Sequence, residues 1–593
     1  MSKTLIIVES PAKSHKIQEY LGDDYIVMAS YGHIADLAKG KKHGIGIDIE
    51  NNFKPRYVLM DDKINVLDNL MKAAQVCDSI MLFSDPDREG EAISWHLAKR
   101  LEDMGKPIRR GVFNEIKKSK ILKAIQNLRD VDQNLVNAQE ARRILDRIVG
   151  FTISPFLMNT FKSPSLSGGR VQSCVTKMII DREREIEQFV PQDFFTIQVS
   201  LNNGSDSFIA KYVNKLTDKK IAENVKNVLS NNDYVVSEVI AQDEVKNPQP
   251  PLVTSTLQRI MSKKYGFSAD KTMKAAQSLY ENGYCTYIRT DSVRVGDEAL
   301  EEVRQWIGAK YNVPKKPYTY KNRESAQDAH ECIRPTSISS ILPWENYAMV
   351  DPDEKIVYEV IWRYFVASQM MPAVYNTLSV TAHPISDKKA KVKALGKALK
   401  DNGFLEILDV KDGSSIDIPN LSVGQKLLLD NNWPKLDKKQ TQPPPRYSED
   451  KLIKELVNRN IGRPSTYGEL LSKVTARNYV EKIGNVFHAT DLGKKITDVL
   501  NSNFTFVDYD FTSKFEKLLD DIAEGKANHI DVLKSFWSTY SAELFNAYSS
   551  QEGDKVLCDK CSNVTIKRNG KFGDFYTCVN PACNRIVNVK RIS

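Results

Sequence analysis

Two short apolar runs, each stopping at a charged loop, constrain the fold of this chain more than any other feature. Thr4 to Val8 has strand length and stops at Glu9-Ser10-Pro11-Ala12-Lys13. Ile80 to Phe83 stops at Ser84-Asp85-Pro86-Asp87-Arg88-Glu89-Gly90-Glu91, and Ala92-Ile93-Ser94-Trp95-His96-Leu97 then reads as helix. A third run, Gly111-Val112-Phe113, ends at Asn114-Glu115. Strand, acidic loop, helix, strand predicts a parallel α/β sheet. Functional groups gather at the carboxyl ends of the strands in such sheets, so Glu9, Asp85, Asp87 and Glu89 are expected to converge. Four carboxylates in one crevice repel one another and stay ionised at low cost only around a cation. Oxygen ligands without His or Cys favour Mg²⁺, which keeps waters and bridges to substrate phosphate.

A second chemistry sits at Gly283-Tyr284-Cys285-Thr286-Tyr287-Ile288-Arg289-Thr290-Asp291-Ser292. Thr286, Tyr287 and Ile288 favour a strand, and Thr290-Asp291-Ser292 the turn that ends it. Alternation along a strand points Tyr287 and Arg289 the same way and Tyr284 the other. A phenol beside a guanidinium is a nucleophile aimed at phosphate: the fork neutralises phosphoryl oxygens while the phenol oxygen attacks. Taken alone, the stretch reads more readily as a half-buried strand aromatic next to a surface charge, because strands are rich in Tyr.

Glu9 to Lys13 and Asp85 to Glu91 resemble the two signatures of the Toprim domain. With Thr286 to Ser292 they resemble type IA DNA topoisomerases, the bacterial topoisomerase I branch in particular. Tyr31-Gly32-His33-Ile34-Ala35-Asp36-Leu37 and Val112-Phe113-Asn114-Glu115-Ile116 match as well, and the likeness runs in order through the whole chain. It implies that Tyr287 is the nucleophile, with Arg289, Glu9, Lys13 and His330 beside it. Glu9 would protonate the leaving 3′ oxygen and Lys13 add charge at the phosphate. His330 enters through Asp328-Ala329-His330-Glu331-Cys332-Ile333-Arg334-Pro335-Thr336.

The same resemblance places His33, Arg142, Asp146, Arg170, Arg463, Ser465 and Arg477 on DNA. Arg142 and Asp146, four apart, share a helix face, where an isolated ion pair contributes little. In Leu166-Ser167-Gly168-Gly169-Arg170 the glycines let backbone N–H groups approach a phosphate and Arg170 adds charge. Ser465 and Thr466 precede a helical pattern; they either cap it or help a helix N-terminus hold phosphate.

The implied fold is multidomain, α/β plus α+β: a Toprim parallel sheet, helical domains and a β-rich arch forming a torus, with a C-terminal zinc ribbon. Its expected parts are a Toprim domain at 1–130 and a helical DNA-binding domain at 131–190 and 436–550. A β-rich hinge arch follows at 191–250 and 373–435, a tyrosine domain at 251–372 and the ribbon at 553–593. Phe195 to Leu201, Ser207 to Val213, Tyr234 to Ile240, Asn376 to Ala382 and Lys391 to Leu395 read as strands of the arch. Asn247 to Pro251 and Asn431 to Arg446 read as linkers.

Of eight cysteines, Cys77, Cys174, Cys285 and Cys332 are scattered and read as core thiols. Cys558, Cys561, Cys578 and Cys583 form two close pairs and read as one structural Zn²⁺ site, disulfides being disfavoured in a cytosolic chain. From Gly553 to Ser593 eight Lys or Arg face three Asp, a net of +5. Phe572, Phe575 and Tyr576 among Lys567, Arg568 and Lys571 either stack bases or fill the ribbon's core.

A formal charge of +8 over 593 residues permits a nucleic-acid partner without demanding one. No apolar run has bilayer length and the N-terminus has no signal-like core, so no membrane partner and a cytoplasmic, nucleoid-associated location are expected. The expected activity is relaxation of negatively supercoiled DNA by a monomer. It proceeds through single-stranded DNA, a 5′-phosphotyrosyl link and a free 3′-OH. A phosphotyrosine ester conserves the energy of the phosphodiester, so ATP is not needed, and no G-x-x-x-x-G-K-[ST] loop is present. A Toprim nuclease or primase would need the acidic cluster without Tyr287. A non-catalytic single-strand binder would need neither. Within the family, a decatenating topoisomerase III-like role is the near alternative, and Glu9 to Lys13 with Ile288 lean away from it.

Overall fold

The computed structural model describes residues 3–39, 44–230, 233–323, 330–340, 351–410, 413–551, 556–570, 573–583 and 585–588. Asp328 and Ala329 of the His330 motif, and Lys571 and Phe572 of the tail, lie outside them.

The N-terminal unit is a four-stranded, all-parallel sheet in the order Tyr25–Ala29, Thr4–Val8, Ser79–Leu82, Ile108–Arg110. Leu5, Ile7, Ile80 and Leu82 bury one face, and Ile6 and Val8 the other. Helices Pro11–Leu21 and Arg88–Leu101 begin within the two charged stretches. The expected third strand is displaced: it is Ile108–Arg110, and Gly111 to Phe113 is irregular. A buried arginine hides it from an apolar scan. The Arg110 guanidinium donates to the carbonyls of Leu82 at 3.1 Å and Asp85 at 2.8 Å, and it pairs with Glu91 at 3.2 Å. Arg129 holds the same Glu91, so this last carboxylate of the acidic loop is structural.

Helices Gln133–Phe161, Arg170–Glu187, Tyr509–Ala523 and His529–Ser549 build a second unit, with Glu449–Asn458, Tyr467–Ala476 and Asp491–Asn503 packed around them. Between them in sequence lies an antiparallel sheet of seven strands. The pairing of Ser207–Tyr212 with both Val392–Asp401 and Asp193–Asn202 closes the sheet on itself. All five strands expected in this region are present. The expected linker 431–446 is not simply a linker, since Lys435–Gln440 pairs with Asp193–Asn202 as a further strand. Its Lys-rich sequence reads as a loop because it is an exposed edge strand paired on one side only. Asp233–Lys246 and Ala373–Pro384 pair along their whole length. Residues 241–247 are exposed, so the pair projects as a ribbon whose far end carries residues 251–372.

That carried segment holds Tyr287, and it packs on the N-terminal sheet. Ile6, Val8, Phe83 and Ile116 share one apolar cluster with Leu279, Tyr280, Tyr287 and Ile288. Gly283 has a φ of +79°, and a Cβ there would lie 2.8 Å from the Ile116 carbonyl oxygen, so the close approach requires glycine. Residues 286–288 do not form the expected strand. The Thr286 N–H donates to Arg334 O at 2.9 Å and the Tyr287 N–H to Asn114 O at 2.8 Å. Consecutive backbone groups thus find partners on two different segments, and no ladder propagates.

The tail is a three-stranded antiparallel sheet, Thr565–Gly570, Gly573–Cys578 and Ile586–Asn588. Among the described residues no helix is long and apolar enough to cross a membrane.

Candidate active site

The loops after Thr4–Val8 and Ser79–Leu82 lie side by side because their strands pair. Glu9 accepts from the Asp85 N–H at 2.8 Å, and Lys13 bridges Glu9, at 3.4 Å, to Asp85. Lys13 is fully buried, with its ammonium over the Tyr280 ring. Burial, with Asp85 alongside, pushes the Glu9 carboxyl up to about 8 against the pull of Lys13. Asp85 is pulled the other way: burial opposes ionisation, but Lys13 outweighs it and lowers its pKa. Two neighbouring carboxyls are thereby split into a proton carrier and an anion.

Asp87 caps helix Arg88–Leu101, accepting from the Gly90 N–H at 2.8 Å. A Cβ on Gly90 would lie 2.2 Å from the Asp85 carbonyl oxygen, so glycine lets the helix start this close to the loop. The other oxygen of Asp87 accepts from the Tyr287 hydroxyl at 2.5 Å, and Arg289 Nη1 lies 3.7 Å from that oxygen. Tyr287 and Arg289 therefore do face one target. Burial, then Asp87 and Asp85, push the Tyr287 phenol well above its ordinary pKa, so it is stored neutral. Tyr284 turns away and meets Tyr358 edge-on at 6.3 Å. His330 is edge-on to Tyr287 at 6.1 Å, and its Nε2 donates to the Pro86 carbonyl at 2.8 Å, tying the tyrosine segment to the acidic loop.

The four carboxylates do not converge as one ligand set. Among the described residues the only cluster of three or more potential ligands is Cys558, Cys561, Cys578 and Cys583. Asp85 is withdrawn by Lys13, and Glu89 pairs at the rim with His33 at 2.9 Å, which with Arg142 and Arg289 holds it down at about 2. The donor chemistry still fits Mg²⁺. Asp87 and Glu89 offer oxygen alone and both line the cleft beside Tyr287. The four thiols lie within 4.8 Å of one another, with Sγ pairs at 3.5 and 3.6 Å. A tetrahedron with Zn–S bonds of about 2.3 Å has edges of roughly 3.8 Å, so this cluster fits one Zn²⁺.

A cleft of about 430 Å³ gathers most of the residues expected on DNA: Arg142, Asp146, Arg463 and Ser465 line it, together with Arg289 and His330. Three expected residues do not line it, and the first, His33, stands behind Glu89 at the rim. Arg170 is fully buried, held by Asp146 at 3.2 Å and Glu516 at 2.9 Å, with Phe515 under its guanidinium. It orients Asp146 rather than reaching a ligand. Arg477 is exposed at the end of Tyr467–Ala476 and does not line the cleft. Thr466 stands at the cap position but exchanges hydrogen bonds with the Arg463 backbone at 2.9 and 3.0 Å, so it shapes the loop rather than capping the helix. Arg88 and Asp520 also line the cleft and were not singled out from sequence. Arg88 lies inside the acidic motif and was legible there. Asp520 sits mid-helix in Leu519-Asp520-Asp521 without any signal.

Residues 130–534 match the family model described as DNA topoisomerase, and residues 4–116 match that of the Toprim domain. Among solved structures, full-length topoisomerase I from Thermotoga maritima is similar. Its identity is 34%, covering 99% of this chain and 98% of that one, with a TM-score of 0.81.

Glu516 and Arg170 are both 0% exposed. Burial opposes ionisation of Glu516, but Arg170, with Arg142 and Arg463 behind it, holds the carboxyl at about 2. Glu516→Gln leaves a buried guanidinium with Asp146 alone, and is expected to cost about 3–5 kcal/mol. Denaturant unfolding of the two proteins side by side measures it. A loss below about 1 kcal/mol would mean that Asp146 alone compensates Arg170.

Proposed function

The chain belongs to the type IA DNA topoisomerases, and from that premise we propose that Tyr287 is its nucleophile in relaxing negatively supercoiled DNA. As a family member it is a type I DNA topoisomerase that binds DNA, cleaves one strand transiently and needs no ATP. Its Toprim domain implies use of Mg²⁺. The observation that carries the residue assignment is the Tyr287 hydroxyl 2.5 Å from Asp87 with Arg289 on the same carboxylate, at the edge of an arginine-lined cleft.

A single strand lies along Arg142, Arg463 and Ser465, which bring its backbone past Arg289. Arg289 takes the phosphoryl oxygens, and the Tyr287 oxygen, passing its phenol proton to Asp87, forms the 5′-phosphotyrosyl ester as the 3′ oxygen leaves. Glu9, protonated at neutral pH, gives that oxygen its proton and recovers it on resealing. Lys13 acts from behind by keeping Asp85 anionic and Glu9 in place. Asp87 and Glu89 would hold Mg²⁺, which would supply positive charge where the two cut ends must be brought together.

Strand passage requires the seam beside Tyr287 to part. Contacts that close it include the Tyr287 hydroxyl on Asp87 and its N–H on Asn114, His330 on Pro86, Arg334 on Glu115 at 3.3 Å and Lys120 on Glu298 at 2.6 Å. The ribbon Asp233–Lys246 with Ala373–Pro384 is the arm on which the tyrosine segment swings, completing a torus around the passing strand. The enzyme works as a monomer. Supercoiled plasmid with Mg²⁺ and no ATP, followed on a gel, tests the activity directly.

Tyr287→Phe is expected to abolish relaxation while sparing DNA binding, since the ring still packs and only the nucleophilic oxygen is lost. Tyr284→Phe should be mild. A dead Tyr284→Phe with an active Tyr287→Phe would reverse the assignment. Above the raised Glu9 pKa of about 8 the carboxyl is ionised and no longer a proton donor. Covalent adduct formation on a labelled oligonucleotide in chelator should therefore fall about tenfold per pH unit above that value. Chelator at neutral pH is expected to stop plasmid relaxation while adducts still form, because Arg289 and Glu9 serve cleavage and the metal serves resealing. Full relaxation in chelator would remove the metal role given to the acidic loop.

A further inference from the structure

One carboxylate stands between the two walls of the cleft. Asp520, on helix Tyr509–Ala523, receives Arg88 on Oδ1 and Arg463 on Oδ2, the latter at 2.6 Å. Arg88 opens helix Arg88–Leu101 immediately after Asp87, whereas Arg463 lies in the loop ahead of Tyr467–Ala476. The two guanidiniums come from different units, and each holds one oxygen of the same anion. Two arginines grip the non-bridging oxygens of a phosphodiester in the same way.

Glu516, one turn earlier on the helix, gives the contrast. It is 0% exposed and locked to Arg170. Asp520 is 19% exposed and lines both the strand cleft and the adjoining cavity of about 1200 Å³, which shares Arg88, His330 and Arg463 with it. An anion arriving in the cleft reaches the Asp520 contacts from solvent; it cannot reach those of Glu516.

We propose that Asp520 is a displaceable stand-in for a backbone phosphate: without DNA it occupies the Arg88–Arg463 pair, and a bound single strand takes that pair over. Loading then exchanges a carboxylate for a phosphate, so the guanidiniums beside Asp87 and Arg289 are compensated in both states. The strand must compete with an internal ligand, which weakens binding by the fraction of molecules in which the pair is free. This inference rests on the reading of the cleft as a strand-binding surface.

The test uses the full chain carrying Tyr287→Phe, so that no strand is cut, titrated with a fluorescent single-stranded oligonucleotide. Asp520→Asn keeps the shape and removes the charge. It should bind about threefold to tenfold tighter at low salt, as expected if the pair is free in about a third to a tenth of the parent molecules. Adding Arg463→Ala should erase the gain. Unchanged or weaker binding by a folded Asp520→Asn overturns the proposal, because the carboxylate is then a brace. Asp520→Ala runs in parallel, and failure of both variants to fold overturns it too. A parent protein that does not bind, or binds without regard to Arg463→Ala, instead removes the strand-binding reading of the cleft and the inference with it.

Discussion

The hydrogen bond from Tyr287 to Asp87 crosses a seam between two units that are far apart in sequence. The phenol comes from the segment carried on the ribbon, and the carboxylate from the loop that starts helix Arg88–Leu101. Neither unit holds a complete site. The apolar cluster shared by Ile6, Val8, Phe83 and Ile288 brings the halves together, and Gly283 removes the side chain that would keep them apart. Closure of that seam also raises the phenol's pKa, so the nucleophile waits as a neutral phenol beside the carboxylate that can take its proton.

Around the seam, charge is handled by pairing every buried ion. Lys13 splits Glu9 from Asp85, Arg110 and Arg129 share Glu91, and Arg170 is held between Asp146 and Glu516. A buried charge stripped of its partner costs several kcal/mol, so these pairs fix loop positions far more tightly than surface ion pairs do. The charges left for a ligand are those only partly buried at the cleft. Arg142, Arg289, Arg463 and Glu89 line the cleft, and each borders on a network whose inner members cannot move.

Some of this was written in local sequence. The apolar runs ending at Glu9 and Asp85, the helix after Asp87, the paired strands of the arch and the two cysteine pairs all follow from patterns a few residues long. The Arg142–Asp146 face needed only a helical repeat. Other elements were not legible. Ile108–Arg110 is an edge strand that ends in a buried arginine, and Lys435–Gln440 is a charged edge strand. Both break the rule that strands look apolar, because distant partners satisfy them.

Sequence alone determined which chemical groups are present and which lie on the same short element: the phenol with its guanidinium, the carboxylates with their helix cap, the thiols in pairs. Tertiary structure decided which of these groups are available. It buried Arg170 and Lys13 among carboxylates, left Arg142 and Arg463 at the cleft, kept Asp85 from joining Asp87 and Glu89, and set Asp520 between two arginines. Availability depends on burial and on partners hundreds of residues away, as between Arg88 and Asp520 or Arg170 and Glu516. Local pattern carries no information about either, because the energies that decide them arise only once water has been removed from between the folded units.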